Sequence, residues 1–170
     1  MIGVASDRLT FDTLTGEAAV LIDRCRTAGV TLATGESCTG GLIAAILTEV
    51  PGSSDVVERG FVTYSNQAKT DLLGVPKALI DVDGAVSEPV ARAMAEGVLA
   101  ASPAAIAIAV TGIAGPGGGT ADKPVGLVHL AVARRGGDLV HDKQLFGDRL
   151  RRDIRLLTVR RAFALIGALL

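Results

Sequence analysis

At 170 residues the chain amounts to about one domain, long enough to bury a core without disulfide staples. A formal net charge of -1 gives no electrostatic footprint for nucleic acid or an anionic membrane surface, so no nucleic-acid or membrane partner is expected. With 49% hydrophobic residues, 21 glycines and no tryptophan, the composition suits closely packed helices on a sheet rather than an all-β sandwich.

The two cysteines, Cys25 and Cys38, are too few for a disulfide framework and lack metal-ligand spacing. A reducing, cytoplasmic setting is the expectation. Asp7 and Arg8 lead into mixed sequence rather than the apolar run of a signal peptide, and no stretch reaches the roughly 18 apolar residues of a membrane span.

Residues 1–10 read as a flexible arm and 11–170 as one domain. Phe11, Leu14, Ala18, Leu21 and Cys25 recur at helical spacing, and Ala28-Gly29 closes that helix. Val30, Leu32 and Ala33 begin a first strand. The small polar stretch Gly35-Glu36-Ser37-Cys38-Thr39-Gly40-Gly41 follows, and then the helix-like run Leu42 to Leu47. That order puts Ser37 before a helix N-terminus, where unpaired N–H groups and the helix dipole favour negative charge. Three roles fit such a serine: N-cap, phosphate ligand, or nucleophile whose oxyanion faces those N–H groups. Cys38 is an alternative nucleophile at the same place.

Val50-Pro51-Gly52-Ser53-Ser54 is a break, and Phe61 to Ser65 reads as a second strand. Asn66 then reads as the N-cap of a short helix ending at Gly74, and Pro76 to Ile80 as one more helical turn. Asp83-Gly84 signals a turn before a helix with Ser87 as N-cap and Val90, Met94 and Val98 on its buried side. The seven apolar residues Ala104 to Val110 make a buried central strand. Five glycines and a proline crowd the next eight residues, Gly112 to Gly119. Val125 to Ala133 and Leu139 to Phe146 form a hairpin about Gly136-Gly137-Asp138. Leu156, Val159, Phe163, Ile166 and Leu170 mark a closing helix. The order implies a single three-layer α/β/α domain with a mixed, mostly parallel sheet and a C-terminal antiparallel hairpin.

Lys69 and Tyr64 fall at the second strand–helix junction, the counterpart of the one holding Ser37. If the two strands are parallel neighbours, both junctions open at one edge of the sheet, where α/β ligands bind. A lysine there acts as a base only once desolvation lowers its pKa. The Thr111–Gly119 loop opens at the same edge, and its backbone can approach a ligand closely. It lacks the ending of a P-loop and is followed by a strand, so neither NTP hydrolysis of that class nor a Rossmann site is expected. His129 and His141 read as isolated, partly exposed strand residues, so a serine nucleophile here needs a base other than histidine. No His/Asp/Glu set shows metal-ligand spacing, and no cofactor is implied. The arginines from Arg149 to Arg161 read as a solvated helix face.

Five ordered motifs resemble the C-terminal domain of the CinA (competence/damage-inducible) family, with the match running from about residue 12 to the end. They are Gly35–Gly41, Val62-Thr63-Tyr64-Ser65-Asn66-Gln67-Ala68-Lys69, Gly84-Ala85-Val86-Ser87-Glu88, Val110 to Pro116, and Lys123-Pro124-Val125-Gly126. The resemblance implies an amidase that converts nicotinamide mononucleotide to nicotinate mononucleotide and ammonia through a metal-free serine–lysine mechanism. It makes Ser37 the nucleophile, Lys69 its base, Tyr64 an auxiliary, and Thr111 a hydroxyl near the lysine or the reacting carbonyl. Thr39, Gly40 and Gly41 would supply oxyanion N–H groups, and Asn66 and Gly112 further substrate contacts. Gly115, Lys123 and Arg149 are the candidates for holding the nucleotide phosphate. A homodimer is also implied, fed by the apolar faces of the first and last helices and the Ala/Gly-rich helix after Ser87. Gly35 stands where alanine is usual, and Gly117 where aspartate often stands. The longer CinA proteins carry an additional N-terminal nucleotide-processing domain, whose activity is not expected in a chain of this length. Two other readings compete: a non-catalytic nucleotide-binding or regulatory module, and a hydrolase of another small amide.

Overall fold

The computed structural model describes residues 9–170, so most of the expected 1–10 arm lies outside the described residues. Thr10 is the N-cap of α1 (Phe11–Ala28): its hydroxyl accepts from the Thr13 N–H while Thr13 reciprocates. Strand β1 (Leu32–Glu36), helix α2 (Leu42–Thr48), strand β2 (Val57–Val62), helices α3 (Asn66–Leu73), α4 (Lys77–Asp83) and α5 (Glu88–Ala100) follow. The chain ends with β3 (Ile106–Gly112), β4 (Leu127–Arg134), β5 (Leu139–Leu145) and α6 (Arg151–Gly167).

One five-stranded sheet runs in the order β2-β1-β3-β4-β5. β1 pairs parallel with β2 and with β3; β3–β4 and β4–β5 pair antiparallel. The sheet is therefore mixed, parallel on one side and antiparallel on the other, in an α/β/α arrangement. Helices α1, α2 and α6 pack together on one face, and α5 covers the other with α3 and α4 beside it.

The pleat explains why the two faces differ. Leu32, Ile106, Ile108, Val110, Val128, Leu130 and Val132 face the α1–α2–α6 layer. Ala33, Ala107, Ala109, Ala131 and Ala133 face α5. Ala104 to Val110, a uniform apolar run in sequence, is thus an alternation of small and large residues with period 2. Alanines on one face let α5 sit close to the sheet, and α5 contributes Ala91 and Ala95 to the same cluster, while its Gly97 lies against Leu73 of α3. The apolar faces of α1 and α6, expected to feed a homodimer, are buried within the chain: Leu14, Leu21, Val159 and Ile166 all belong to its core.

Several boundaries differ from the sequence reading. β2 starts at Val57 and ends at Val62, so Thr63, Tyr64 and Ser65 form a connector and not a strand. Ser65, not Asn66, caps α3, its hydroxyl accepting from the Ala68 N–H. α4 continues to Asp83. Ser87 occupies the N-cap position of α5, but its hydroxyl donates to the Gly84 carbonyl instead of capping. His129 and His141 are not isolated: their ring nitrogens lie 3.0 Å apart, and His141 lies 3.3 Å from Glu88. Burial, with the neighbouring His141 adding to it, lowers the His129 pKa to about 4.

Two tests follow from this packing. A Cβ on Gly97 would sit 2.0 Å from the Leu73 carbonyl, so Gly97→Ala should cost about 2–3 kcal/mol, read as a lower urea midpoint. An unfolded histidine protonates near 6.5 whereas folded His129 waits until about 4, so acid favours the unfolded chain across that interval. Stability should fall as the pH drops through it, and less steeply in His129→Asn.

Candidate active site

β1 leaves the sheet held from both neighbours. The Thr63 N–H donates to the Glu36 carbonyl at 2.8 Å, and the Ser37 N–H donates to the Val110 carbonyl at 3.0 Å. Because β1 and β2 are parallel and adjacent, their carboxyl ends lie side by side. Lys69, one turn into α3, reaches back across that junction: its Nζ lies 3.1 Å from Ser37 Oγ and donates to the Thr63 carbonyl at 2.9 Å. A longer contact, 3.5 Å, reaches the Ser65 carbonyl. Lys69 is 1% exposed and Ser37 9%.

No carboxylate pairs with this lysine among the described ion pairs. Burial penalises its ammonium form and lowers its pKa from the usual 10.5. A neutral amine has two N–H groups and one lone pair. Here it meets two carbonyls, which only accept, and one hydroxyl, which can donate. Serine hydroxyl and desolvated amine are in direct contact.

Ser37 caps no helix. Gly41 is the N-cap residue of α2 and offers no side chain. The cap comes instead from Glu36, which the sequence reading passed over. Its carboxylate accepts from Ile43 N–H at 3.0 Å, Ala44 N–H at 2.9 Å and the Thr34 hydroxyl at 3.1 Å, with the residue fully buried. The first-turn donors of α2 are therefore occupied, and they are not the donors for a substrate anion or an oxyanion. Within the turn, Gly40 N–H donates to the Ser37 carbonyl. Thr39 and Gly41 N–H groups have no acceptor among the described residues. The only sequence signal for Glu36 was an acidic residue two positions past an inward-facing threonine at the end of a buried strand.

The other expected residues are dispersed. Tyr64 is exposed, and its hydroxyl accepts from Arg151 at 2.8 Å; it makes no hydrogen bond to Ser37 or Lys69. The Thr111 hydroxyl donates to the Ala85 carbonyl at 2.8 Å and does not hold the lysine. Asn66 is exposed at the start of α3. Gly112 ends β3, where a Cβ would meet the Leu127 carbonyl at 2.8 Å. Lys123 Nζ donates to the Asp83 carbonyl, and Arg149 Nε to the Phe146 carbonyl. Gly115 has φ 75 and gives its carbonyl to Arg151 at 2.8 Å.

The arginine cluster is not a uniformly solvated face. Arg151 joins Tyr64 to the Gly115 carbonyl, Arg155 donates to the Thr39 carbonyl at 2.6 Å, and Arg161 pairs with Asp142. Two cavities adjoin the glycine-rich loop. One of about 730 Å³ is lined by residues from Pro116 to Ala121 with Leu145 and Asp148; another of about 640 Å³ is lined by Pro116, Asp148 to Arg151 and Asp153. Ser37 and Lys69 line neither.

Cys38 is buried, and desolvation pushes its thiol up to about 12, so it stays protonated at neutral pH. Cys25 is buried on α1, its thiol raised to about 11.

A three-layer α/β/α domain with a hydroxyl–amine contact at the carboxyl end of two parallel strands is the class of protein these observations define. The chain matches the CinA C-terminal domain over residues 15–170 and belongs to that family. It is 64% identical over 108 residues to a putative competence-damage inducible protein of Symbiobacterium thermophilum, covering 64% of this chain and 25% of that protein. It is 56% identical over 132 residues to a CinA-like protein of Akkermansia muciniphila, covering 78% and 32%. The chain thus spans only a quarter to a third of these relatives. Solved structures match along nearly their whole length. The competence/damage inducible protein CihA of Agrobacterium tumefaciens superposes with TM-score 0.91 at 50% identity, covering 97% of this chain and 99% of that one. A CinA superfamily protein of Escherichia coli gives 0.86 at 34% identity, covering 100% and 96%. Among the described residues no helix is long and apolar enough to cross a membrane.

Iodoacetamide at pH 8 should leave both cysteines of the native protein unmodified and label them once urea unfolds it, read by intact mass. Rapid native labelling of Cys38 would contradict its burial.

Proposed function

We propose that the protein is an amidase that hydrolyses nicotinamide mononucleotide to nicotinate mononucleotide and ammonia by way of a Ser37 acyl-enzyme. The observation that carries this reading is the 3.1 Å contact between Ser37 Oγ and the buried Lys69 Nζ. Lys69, neutral at rest, takes the Ser37 hydroxyl proton as Oγ bonds to the carboxamide carbon. The carbonyl π electrons move to oxygen, and the N–H groups of Thr39 and Gly41 donate hydrogen bonds to that oxyanion. Each such donor is worth about 3–4 kcal/mol in comparable sites. As the tetrahedral intermediate collapses, the C–N bond breaks and the lysine's proton leaves with the amine as ammonia. Lys69, neutral again, takes a proton from water, whose oxygen attacks the ester; the proton returns to Ser37 as nicotinate mononucleotide is released.

The α2 N-terminus, already occupied by Glu36, is not the phosphate seat in this scheme. Arg149 and Arg151, which both line the cavity at the rim of the glycine-rich loop, are the cations placed to meet the substrate's anionic end. Arg151 donates to Tyr64 and the Gly115 carbonyl, Arg149 donates through Nε alone to the Phe146 carbonyl, and the Lys123 Nζ donates to the Asp83 carbonyl.

The test is ammonia release from nicotinamide mononucleotide, free nicotinamide and a panel of small amides. Turnover on the nucleotide is expected, with losses of at least about 10³-fold in Ser37→Ala and Lys69→Ala. Saturable nucleotide binding without turnover would favour the non-catalytic module, and turnover on another amide would move the substrate. Because the working lysine must be neutral, kcat/KM should rise with pH through its pKa, with the midpoint below the usual 10.5. A folded Lys69→Ala retaining full rate would remove the base.

A further inference from the structure

The turn that carries Ser37 is clamped by two charged side chains that hydrogen-bond to neither reacting group. We propose that Glu36 and Arg155 are positioning residues for the reaction at Ser37. The inference rests on the serine–lysine reading above and deepens it.

A fully buried carboxylate costs several kcal/mol unless it is satisfied. Glu36 has no cation on it among the described ion pairs; it is satisfied by two helix N–H groups and a threonine hydroxyl. A Ser, Thr, Asp or Asn at position 41 could cap α2 locally without burying a charge so deeply. The N-cap residue is instead a glycine with φ 91, directly after Gly40 with φ 58. Two successive glycines in the left-handed region make the softest possible joint between nucleophile and helix. The remote carboxylate supplies what a local cap would not. It ties the last residue of β1 to the first turn of α2, so residues 37–42 form a short loop fixed at both ends.

Arg155 holds the middle of that loop from α6. Its Nη2 donates to the Thr39 carbonyl at 2.6 Å, while the N–H of the same peptide, that of Gly40, donates to the Ser37 carbonyl at 3.0 Å. The Thr39–Gly40 peptide is thereby held at both its oxygen and its nitrogen. The neighbouring N–H groups of Thr39 and Gly41 have no acceptor among the described residues that would compete with an oxyanion. Losing either clamp frees the glycine pair, and a misplacement of about 1 Å at such a site costs about 10²-fold in rate.

The experiment compares Glu36→Gln, Arg155→Gln and Arg155→Lys with the wild type, each first shown folded by circular dichroism and urea titration. Two readouts are taken: the rate at which a fluorophosphonate probe labels Ser37, and kcat and KM for ammonia release from nicotinamide mononucleotide. Expected are a fall of about 10²-fold in labelling rate and in kcat for Glu36→Gln and Arg155→Gln, with KM within about threefold. The midpoint of the acid limb of the pH profile should not move, and Arg155→Lys should recover part of the rate. If Glu36→Gln does not fold, the half-buried Arg155 pair carries the test alone. Folded variants that label at the wild-type rate overturn the proposal. So does a rate loss with a displaced pH midpoint, which would assign the effect to the proton on Lys69. Wild-type protein that labels at Ser37 but releases no ammonia sinks the substrate reading alone, since the labelling rates still judge the clamp. A wild-type Ser37 that takes no label sinks the serine–lysine reading and this inference together.

Discussion

Lys69 has the chemistry of a surface residue and the location of a core one. At 1% exposure its amine has lost almost all its water, and two backbone carbonyls and a serine hydroxyl stand in for it. That substitution is tolerable for a neutral amine and costly for an ammonium, and for this reason its pKa falls. Everything nearby serves the contact. Parallel pairing of β1 with β2 brings the two carboxyl ends together, and the connector Thr63–Ser65 offers its carbonyls. The hydroxyl of Ser65 starts α3 at the register that points Lys69 back across the junction.

The pleat of β1 sorts chemistry from structure. Glu36 turns its carboxylate to the α2 side and Ser37 its hydroxyl to the α3 side, so adjacent residues serve opposite layers. The same alternation gives the sheet a branched-aliphatic face and an alanine face. Gly35 belongs to the crowded side: a Cβ there would come 2.6 Å from Val98 and 3.3 Å from Leu73. An alanine at position 35 would therefore press on Val98 of α5 and Leu73 of α3 unless those side chains shift.

The last helix also reaches further than its amphipathic pattern suggests. Arg151 and Arg155, one turn apart, touch three loops: the Tyr64 connector, the glycine-rich loop and the Ser37 turn. α6 therefore ties together loops that come from distant parts of the chain. Membership of the CinA C-terminal domain family and the close superposition on its solved members place this arrangement within an established fold.

Periodicity and punctuation determined the element order, the mixed sheet, the hairpin, and the places of Ser37 and Lys69 at two strand–helix junctions, because those features are local or follow from simple topology; the pairing of the two residues came from the motif resemblance. The roles of Tyr64, Thr111, Lys123 and Arg149 could not be read that way. A hydroxyl or cation at a strand end or in a loop is drawn to whichever carbonyl the folded chain sets beside it, and nothing within a few residues of Thr111, near the end of β3, announces Ala85. Glu36 and Arg155 were hidden for the same reason: one reaches seven and eight residues ahead, the other 116 residues back, to partners defined only by packing. Only the tertiary structure decided which polar groups lose their water together, since desolvation depends on every neighbour at once and not on any stretch of sequence.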